Sequence, residues 1–74
     1  GIRGLLFEPM TELTSHFMRQ KISEMLQEFE PRIIVKNILV RPDESRNSYT
    51  CKIIFTIIGT LEPVVVETFL ERLR

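Results

Sequence analysis

The sequence has few of the residues that disulfides, metal sites and phosphate-binding loops require. It contains one cysteine, one histidine, three glycines and no tryptophan. A single cysteine excludes an internal disulfide, and Cys51 with His16 does not make the ligand cluster of a structural metal site. The three glycines are scattered, so they form no phosphate-binding loop. We therefore expect no metal and no cofactor, and we expect Cys51 to be a small buried hydrophobe.

The sequence also lacks an excess of either charge and any long apolar run. Ten basic and ten acidic residues leave a formal net charge of zero over 74 residues. Attraction to nucleic acid or to anionic lipid is therefore not a driving force. No apolar run approaches the roughly 20 residues that cross a bilayer. We expect residues 1–74 to form a single small domain, with no nucleic acid, membrane or small-molecule substrate as partner.

Candidate catalytic groups do not have the arrangement that catalysis needs. Ser15, His16 and Glu12 could be written as a catalytic triad, but neighbouring positions on a helix point apart. Glu24 and Glu28 have helical spacing, and glycosidases do use two carboxylates. Such pairs are ordinarily solvated, and nothing in the sequence indicates a burial that would raise one pKa. We expect that the protein is not an enzyme.

Apolar residues at steps of three and four predict an amphipathic helix over residues 15–29. Thr14 is the expected N-cap, with Leu13 packing on Met18 as a hydrophobic staple. Residues 5–7 are expected to form one helical turn that covers one end of the core. The apolar face of the main helix is predicted to contain Met18, Ile22, Met25, Leu26 and Phe29.

Segments rich in β-branched residues predict strands. The first covers residues 32–41 and the second residues 48–58, with turns at residues 42–47 and 59–63. Residues 64–74 fit either a strand or a helix face, and the run of three valines favours a strand. The expected fold is α+β: one main amphipathic helix packed on a small, mainly antiparallel three-stranded sheet, with a short N-terminal helical turn.

Strict alternation along the first two strands leaves apolar side chains on both faces of the sheet. One set should pack on the helix: Tyr49, Cys51, Ile53, Phe55 and Ile57. The other set should face away from the helix: Ile34, Ile38, Val40, Ile54 and Ile58. Either a terminal segment covers this second set, or it is a protein interface in which Ile34, Ile38 and Ile54 bind a partner. An edge strand of the sheet could also accept a strand from a partner.

The end of the main helix is marked by Pro31, which lacks an amide hydrogen and disfavours helical geometry at Glu30. In an extended segment, Glu30 and Arg32 would project to the same side. From the spacing alone, this corner is a helix stop with a weak surface ion pair.

Several stretches of the chain together resemble the baseplate-wedge family of contractile-tailed phages. That family includes the sheath-initiator subunit and its counterpart in the type VI secretion baseplate. The hairpin ending Phe55-Thr56-Ile57-Ile58 looks like the family's second strand. The other matching stretches are Gly4-Leu5-Leu6-Phe7-Glu8-Pro9, the helix start at Leu13-Thr14, and Phe29-Glu30-Pro31-Arg32-Ile33.

The resemblance implies a structural protein of the phage tail baseplate, assembled in the host cytoplasm. It implies binding to neighbouring wedge proteins and to tail sheath subunits, and a role in starting sheath assembly. Carried over from the family, Glu30, Pro31 and Arg32 become the partner-binding corner. The family usually has a longer N-terminal part, so we expect that part to be missing before Gly1.

Two other functions stay open at this stage. Some family members carry a lysozyme label, which makes a peptidoglycan hydrolase the enzyme alternative. A stress-response protein shares the fold, which makes a regulatory anti-adaptor the third possibility.

Overall fold

The computed structural model describes residues 1–73, and it has the α+β architecture that the sequence predicts. The strands form one antiparallel sheet in the order β1 (Ile33–Asp43), β2 (Ser48–Ile57), β3 (Val64–Glu71), so β2 is central and the other two are edges. Of the segment 64–74, the residues Val64–Glu71 form a strand, which confirms the favoured interpretation, and residue 74 lies outside the described residues. In chain order the elements are α1 (Ile2–Leu5), α2 (Glu12–Phe29), β1 (Ile33–Asp43), a 3-10 turn (Glu44–Arg46), β2 (Ser48–Ile57) and β3 (Val64–Glu71).

Helix α2 begins three residues earlier than its apolar pattern predicts. Thr11 is the N-cap: its backbone is extended, and its Oγ1 accepts the backbone N–H of Thr14 at 3.2 Å. The prediction of Thr14 as N-cap is therefore wrong, because Thr14 lies inside the first turn. Glu12 follows the true cap, at the end of the helix dipole that favours an acidic residue. Leu13 is exposed, so the predicted staple does not form.

The core lies at the end of the sheet where β1 turns into β2. The N-terminal segment covers that end, as predicted, although the helical turn is Ile2–Leu5 rather than residues 5–7. The backbone N–H of Leu73 donates to the oxygen of Leu6 at 3.1 Å, which ties the end of β3 to this segment. The buried residues of the core are Leu6, Met18, Ile22, Ile38, Val40, Tyr49, Cys51 and Ile53.

A β-bulge in β1 decides which side chains of that strand face the helix. The pairing with β2 shifts between Val35 and Asn37, so one extra residue is inserted and every later side chain changes face. Ile38 and Val40 consequently lie in the core, 8% and 5% exposed, whereas Leu39 points outward. The prediction that Ile38 and Val40 face away from the helix is wrong, because it carried strict alternation through the bulge.

The outer face of the sheet is more polar than predicted. Lys52 lies opposite Leu39 on one side and opposite Glu67 on the other. Of the side chains predicted to face away from the helix, Ile34 and Ile58 are exposed and Ile54 is half-buried. The predicted packing of Tyr49, Cys51 and Ile53 beneath the helix is confirmed, and Phe55 packs at the margin of that core.

The bulge makes a direct prediction about two adjacent residues. Ile38→Asp should lower the free energy of unfolding by about 3 kcal/mol or more, because it buries an unpaired carboxylate in the core. Leu39→Asp is the matched control: it places the same group on the outer face opposite Lys52, and it should change stability by less than about 1 kcal/mol. Urea unfolding followed by circular dichroism measures both. Equal losses for the two variants would contradict the bulged register.

Candidate partner-binding surfaces

Helix α2 ends at a sharp corner formed by Glu30, Pro31 and Arg32. Glu30 is the C-cap, with φ −144° and ψ 98°, and its backbone N–H donates to Leu26 at 2.9 Å. The predicted extended geometry of Glu30 is confirmed. The next residues are not extended, however: the N–H of Ile33 donates to the oxygen of Glu30 at 3.0 Å, which closes a turn over Pro31 and Arg32.

The acid and the base of the corner lie side by side, as predicted, but the turn rather than strand alternation brings them together. Arg32 Nε donates a hydrogen bond to Glu30 Oε1 at 2.7 Å. A donor and acceptor that both carry charge make a short and comparatively strong bond. This bond keeps the Arg32 side chain in one orientation although it is 68% exposed.

The ion pair shifts the pKa of both of its members. The hydrogen bond from Arg32 holds the pKa of the Glu30 carboxyl below its ordinary value, and the same bond raises the pKa of Arg32. A guanidinium carries five N–H donors, and the Nε–H is the one that bonds Glu30. Within the described residues, the terminal nitrogens of Arg32 have no hydrogen-bond partner.

The backbone of the corner is attached to the far end of β2. The N–H of Ile58 donates to the oxygen of Arg32 at 2.9 Å. Immediately afterwards Gly59 has φ +95°, a left-handed conformation that glycine adopts without a steric penalty, and it begins the predicted turn at residues 59–63. The backbone of the corner is therefore hydrogen-bonded both to the end of the helix and to the start of the β2–β3 loop, which restricts its movement.

Apolar side chains next to the corner are exposed rather than packed. Phe29 is 87% exposed and Met25 is also exposed, so the predicted apolar face of α2 is covered by the core only in its first half. A helix of 18 residues is about 27 Å long, and the core occupies the opposite end of the sheet. The second half of α2 carries an open groove of about 580 Å³, here called the α2 groove, lined by Ile22, Met25, Leu26, Glu28 and Phe29.

A smaller apolar patch lies on the outer face of the sheet, at the same end as the corner. Ile54 lies opposite Val65 of β3, and Thr56, two residues further along β2, lies opposite Ile34. The three apolar side chains are neighbours on one face, and we call them the outer patch. Two of the predicted partner-binding residues, Ile34 and Ile54, therefore lie together, whereas Ile38 is in the core.

The two edges of the sheet differ in how well they could accept another strand. Strand β1 has the bulge, Lys36 at the bulge and Pro42 near its end, three features that discourage edge pairing. Strand β3 pairs with β2 over eight consecutive residues without a shift, and it contains no proline, lysine or arginine. On its other side, no strand pairs with β3 among residues 1–73.

The residues that catalysis or metal binding would use do not converge. Ser15 is fully buried whereas His16 is exposed, and the carboxylate of Glu24 pairs with Lys21 at 3.5 Å. Burial raises the pKa of the Cys51 thiol, which disfavours the reactive thiolate. Over residues 1–73 no group of three histidine, cysteine or acidic residues is arranged to hold a metal ion. The helices in the same range are too short or too polar to cross a membrane.

Comparison with known proteins identifies the family. The family model described as "Baseplate wedge protein gp25" matches residues 1–63, which include both helices, β1, β2 and the corner. The chain therefore belongs to the baseplate wedge protein gp25 family, and it is a structural protein of the baseplate of a contractile phage tail. Searches of curated proteins and of solved structures found no match. Strand β3 lies beyond the matched residues.

Sequence reasoning missed Met25, Phe29 and Val65 as surface residues. The apolar spacing of α2 predicts which face of the helix is apolar, but it does not predict which part of the helix the rest of the protein covers. For Val65, the signal was the run of three valines, since alternation places one of three neighbours on the opposite face.

The ion pair of the corner predicts a titration. The pKa of the Glu30 carboxyl should lie below that of an ordinary glutamate, and Arg32→Ala should raise it towards the ordinary value. Because folding lowers this pKa, the pair stabilises the fold above the ordinary glutamate pKa, and that contribution is lost as the pH falls through the folded value. NMR titration of the side-chain carboxyl measures it. An unchanged Glu30 pKa in the variant would contradict the pairing.

Proposed function

We propose that this baseplate protein joins two assemblies: it binds neighbouring wedge proteins through the corner, and it helps to initiate the tail sheath through strand β3. Its role is assembly rather than catalysis, and it is incorporated in the cytoplasm of the host. The observation that carries the proposal is the exposed, oriented guanidinium of Arg32 with its terminal nitrogens unpaired.

The corner has the properties of a preformed contact. Arginine binds carboxylates through paired N–H donors, and its fork geometry favours one orientation. Glu30 already restricts the Arg32 side chain, so less conformational entropy is lost when a partner carboxylate binds. Pro31 and the turn restrict the backbone in the same way. These features support a contact with a helix of a neighbouring wedge protein that presents an acidic side chain.

The outer patch lies on the face of the sheet opposite to the helix. We infer that Ile34 and Ile54, with Val65 beside them, add apolar area to the wedge contact. Side chains of this size stabilise an interface by roughly 1.5–3 kcal/mol each when they become fully buried. Ile38 is not part of this proposal, because it is buried in the core.

Strand β3 supports the second contact, with sheath subunits. Its free edge offers backbone N–H and C=O groups over eight residues, and β-augmentation obtains its affinity from such groups. Glu67 and Glu71 on β3 favour an incoming strand that carries basic residues. Neither a peptidoglycan hydrolase nor an anti-adaptor is supported by a specific observation on this chain.

The corner is tested by Arg32→Ala in the complete chain. The variant should keep its thermal unfolding midpoint within a few degrees, since the residue is exposed. Its capture by purified wedge partners should weaken by at least about tenfold, because the partner carboxylate loses its charged donor. Surface plasmon resonance with immobilised wedge proteins measures the affinity.

The matched control for that experiment is Arg46→Ala. Arg46 is similarly exposed and also pairs with an acidic residue, Asp43, at 3.7 Å, but it lies at the other end of the sheet. It should leave capture unchanged. If both variants or neither of them lose capture, the corner is not the wedge contact.

The edge contact is tested by hydrogen exchange. On binding purified sheath subunits, backbone amides of β3 should become protected, because a new strand pairs with its free edge. Amides of β1 serve as the internal control and should not change, because the bulge and Pro42 interrupt that edge. Mass spectrometry of exchanged peptides reports both strands. Protection of β1 without protection of β3 would overturn the assignment of the edge.

A further inference from the structure

The α2 groove is an apolar surface that neither the corner nor the sheet edge accounts for. Ile22, Met25, Leu26 and Phe29 line it, and of these Met25 and Phe29 are exposed whereas Ile22 is buried. These positions are three and four residues apart, so they form one ridge along the second half of the helix. Exposed methionine and phenylalanine side chains of this kind are common at protein interfaces.

One charged residue lines the α2 groove, and it is acidic. Glu28 lines the groove, and within the described residues its carboxylate has no ion-pair partner. The last turn of α2 contains no basic residue, and the helix dipole adds partial negative charge at that end. The groove is therefore apolar, with the carboxylate of Glu28 and the helix C-terminus as the negative charge on its rim.

We propose that the α2 groove binds an amphipathic helix of a partner protein, one whose apolar ridge is flanked by lysine or arginine. The apolar ridge of the incoming helix packs between Met25 and Phe29, and its basic flank lies against Glu28. An anionic rim selects the basic flank, because a helix with an acidic flank would place like charges together.

A helix fits this surface better than a strand does. The groove is lined by side chains of one helix, and ridges of three- and four-residue spacing interlock with the equivalent ridges of a second helix. A strand would bring unpaired backbone groups to a surface that offers side chains and no free backbone edge. Helix-in-groove recognition uses anchors at the same spacing.

This inference rests on the proposed wedge contact and extends it. Phe29 is followed directly by Glu30, so a helix seated in the α2 groove would end beside the corner. The corner and the groove would then bind one partner surface, through opposite charges: Arg32 takes an acidic side chain, and Glu28 takes a basic one.

The test uses the complete chain and two synthetic helical peptides of 18 residues. Both carry the same leucine ridge at three- and four-residue spacing; one has lysines along its flanks and the other has glutamates. NMR titration follows the methyl signals of Met25 and Leu26 at low salt. The lysine peptide should shift these signals and should bind at least about tenfold more tightly than the glutamate peptide.

Charge reversal gives the sharper comparison. Glu28→Lys should reduce the preference for the lysine peptide by about threefold or more, as expected for reversing one surface charge. Glu8→Lys, an exposed acidic residue outside the groove, makes the same change in net charge and should keep the preference. Phe29→Ser should weaken binding of the lysine peptide, and Leu61→Ser, which removes a fully exposed leucine elsewhere, should not.

Three results would overturn the inference. Equal binding of the two peptides would make the groove a non-selective apolar patch. Signal changes confined to β3 would put the peptide on the sheet edge instead. An equal effect of Glu28→Lys and Glu8→Lys would reduce the preference to net charge. None of these results affects capture by wedge partners through Arg32, so failure of the groove and failure of the corner are distinguishable.

Discussion

The proline at position 31 is the constraint on which the rest of the structure depends. Because the ring of Pro31 disfavours helical geometry at the preceding residue, α2 ends at Phe29, and Glu30 becomes the extended C-cap. The turn that follows directs the chain back as β1, and the bond from Ile58 to Arg32 fastens that turn to β2. The same local geometry that starts the sheet therefore orients the acid and the base of the corner.

The core of the protein is unevenly distributed along the sheet. One end is closed by the N-terminal segment and the first half of α2, around Met18, Tyr49 and Cys51, all fully buried. The other end keeps Phe29, Ile34 and Val65 exposed. A small domain buries only a limited share of its surface. A partner that covers the open end would therefore bury the apolar side chains that the domain alone leaves exposed. This asymmetry agrees with a structural protein of the baseplate wedge family.

The elements of the fold could be predicted from the sequence because their signals are local. The apolar spacing of α2, the β-branched strands and the stop at Pro31 each depend on a few neighbouring residues. The bulge in β1 could not be predicted, because no glycine or proline marks it and the shift depends on pairing with β2. The capping by Thr11 instead of Thr14 is a choice between two equivalent residue types.

The candidate site could be predicted only where its geometry depends on residues that are close in sequence. Glu30 and Arg32 are close in sequence, and a proline between them limits their relative positions, so their pairing followed from local geometry. The exposure of Phe29 depends on how far the sheet extends beneath the helix, which is a property of the whole fold. Ile38 lies in the core only because of the bulge, so its burial could not be predicted without predicting the bulge.

The most direct measurement of the central claim is a high-resolution structure of the assembled baseplate that contains this chain. The account predicts that the terminal nitrogens of Arg32 lie about 3 Å from a carboxylate of a neighbouring wedge protein, while Arg32 keeps its bond to Glu30. A mature particle in which the corner faces solvent, with no partner side chain in reach of Arg32, would contradict it.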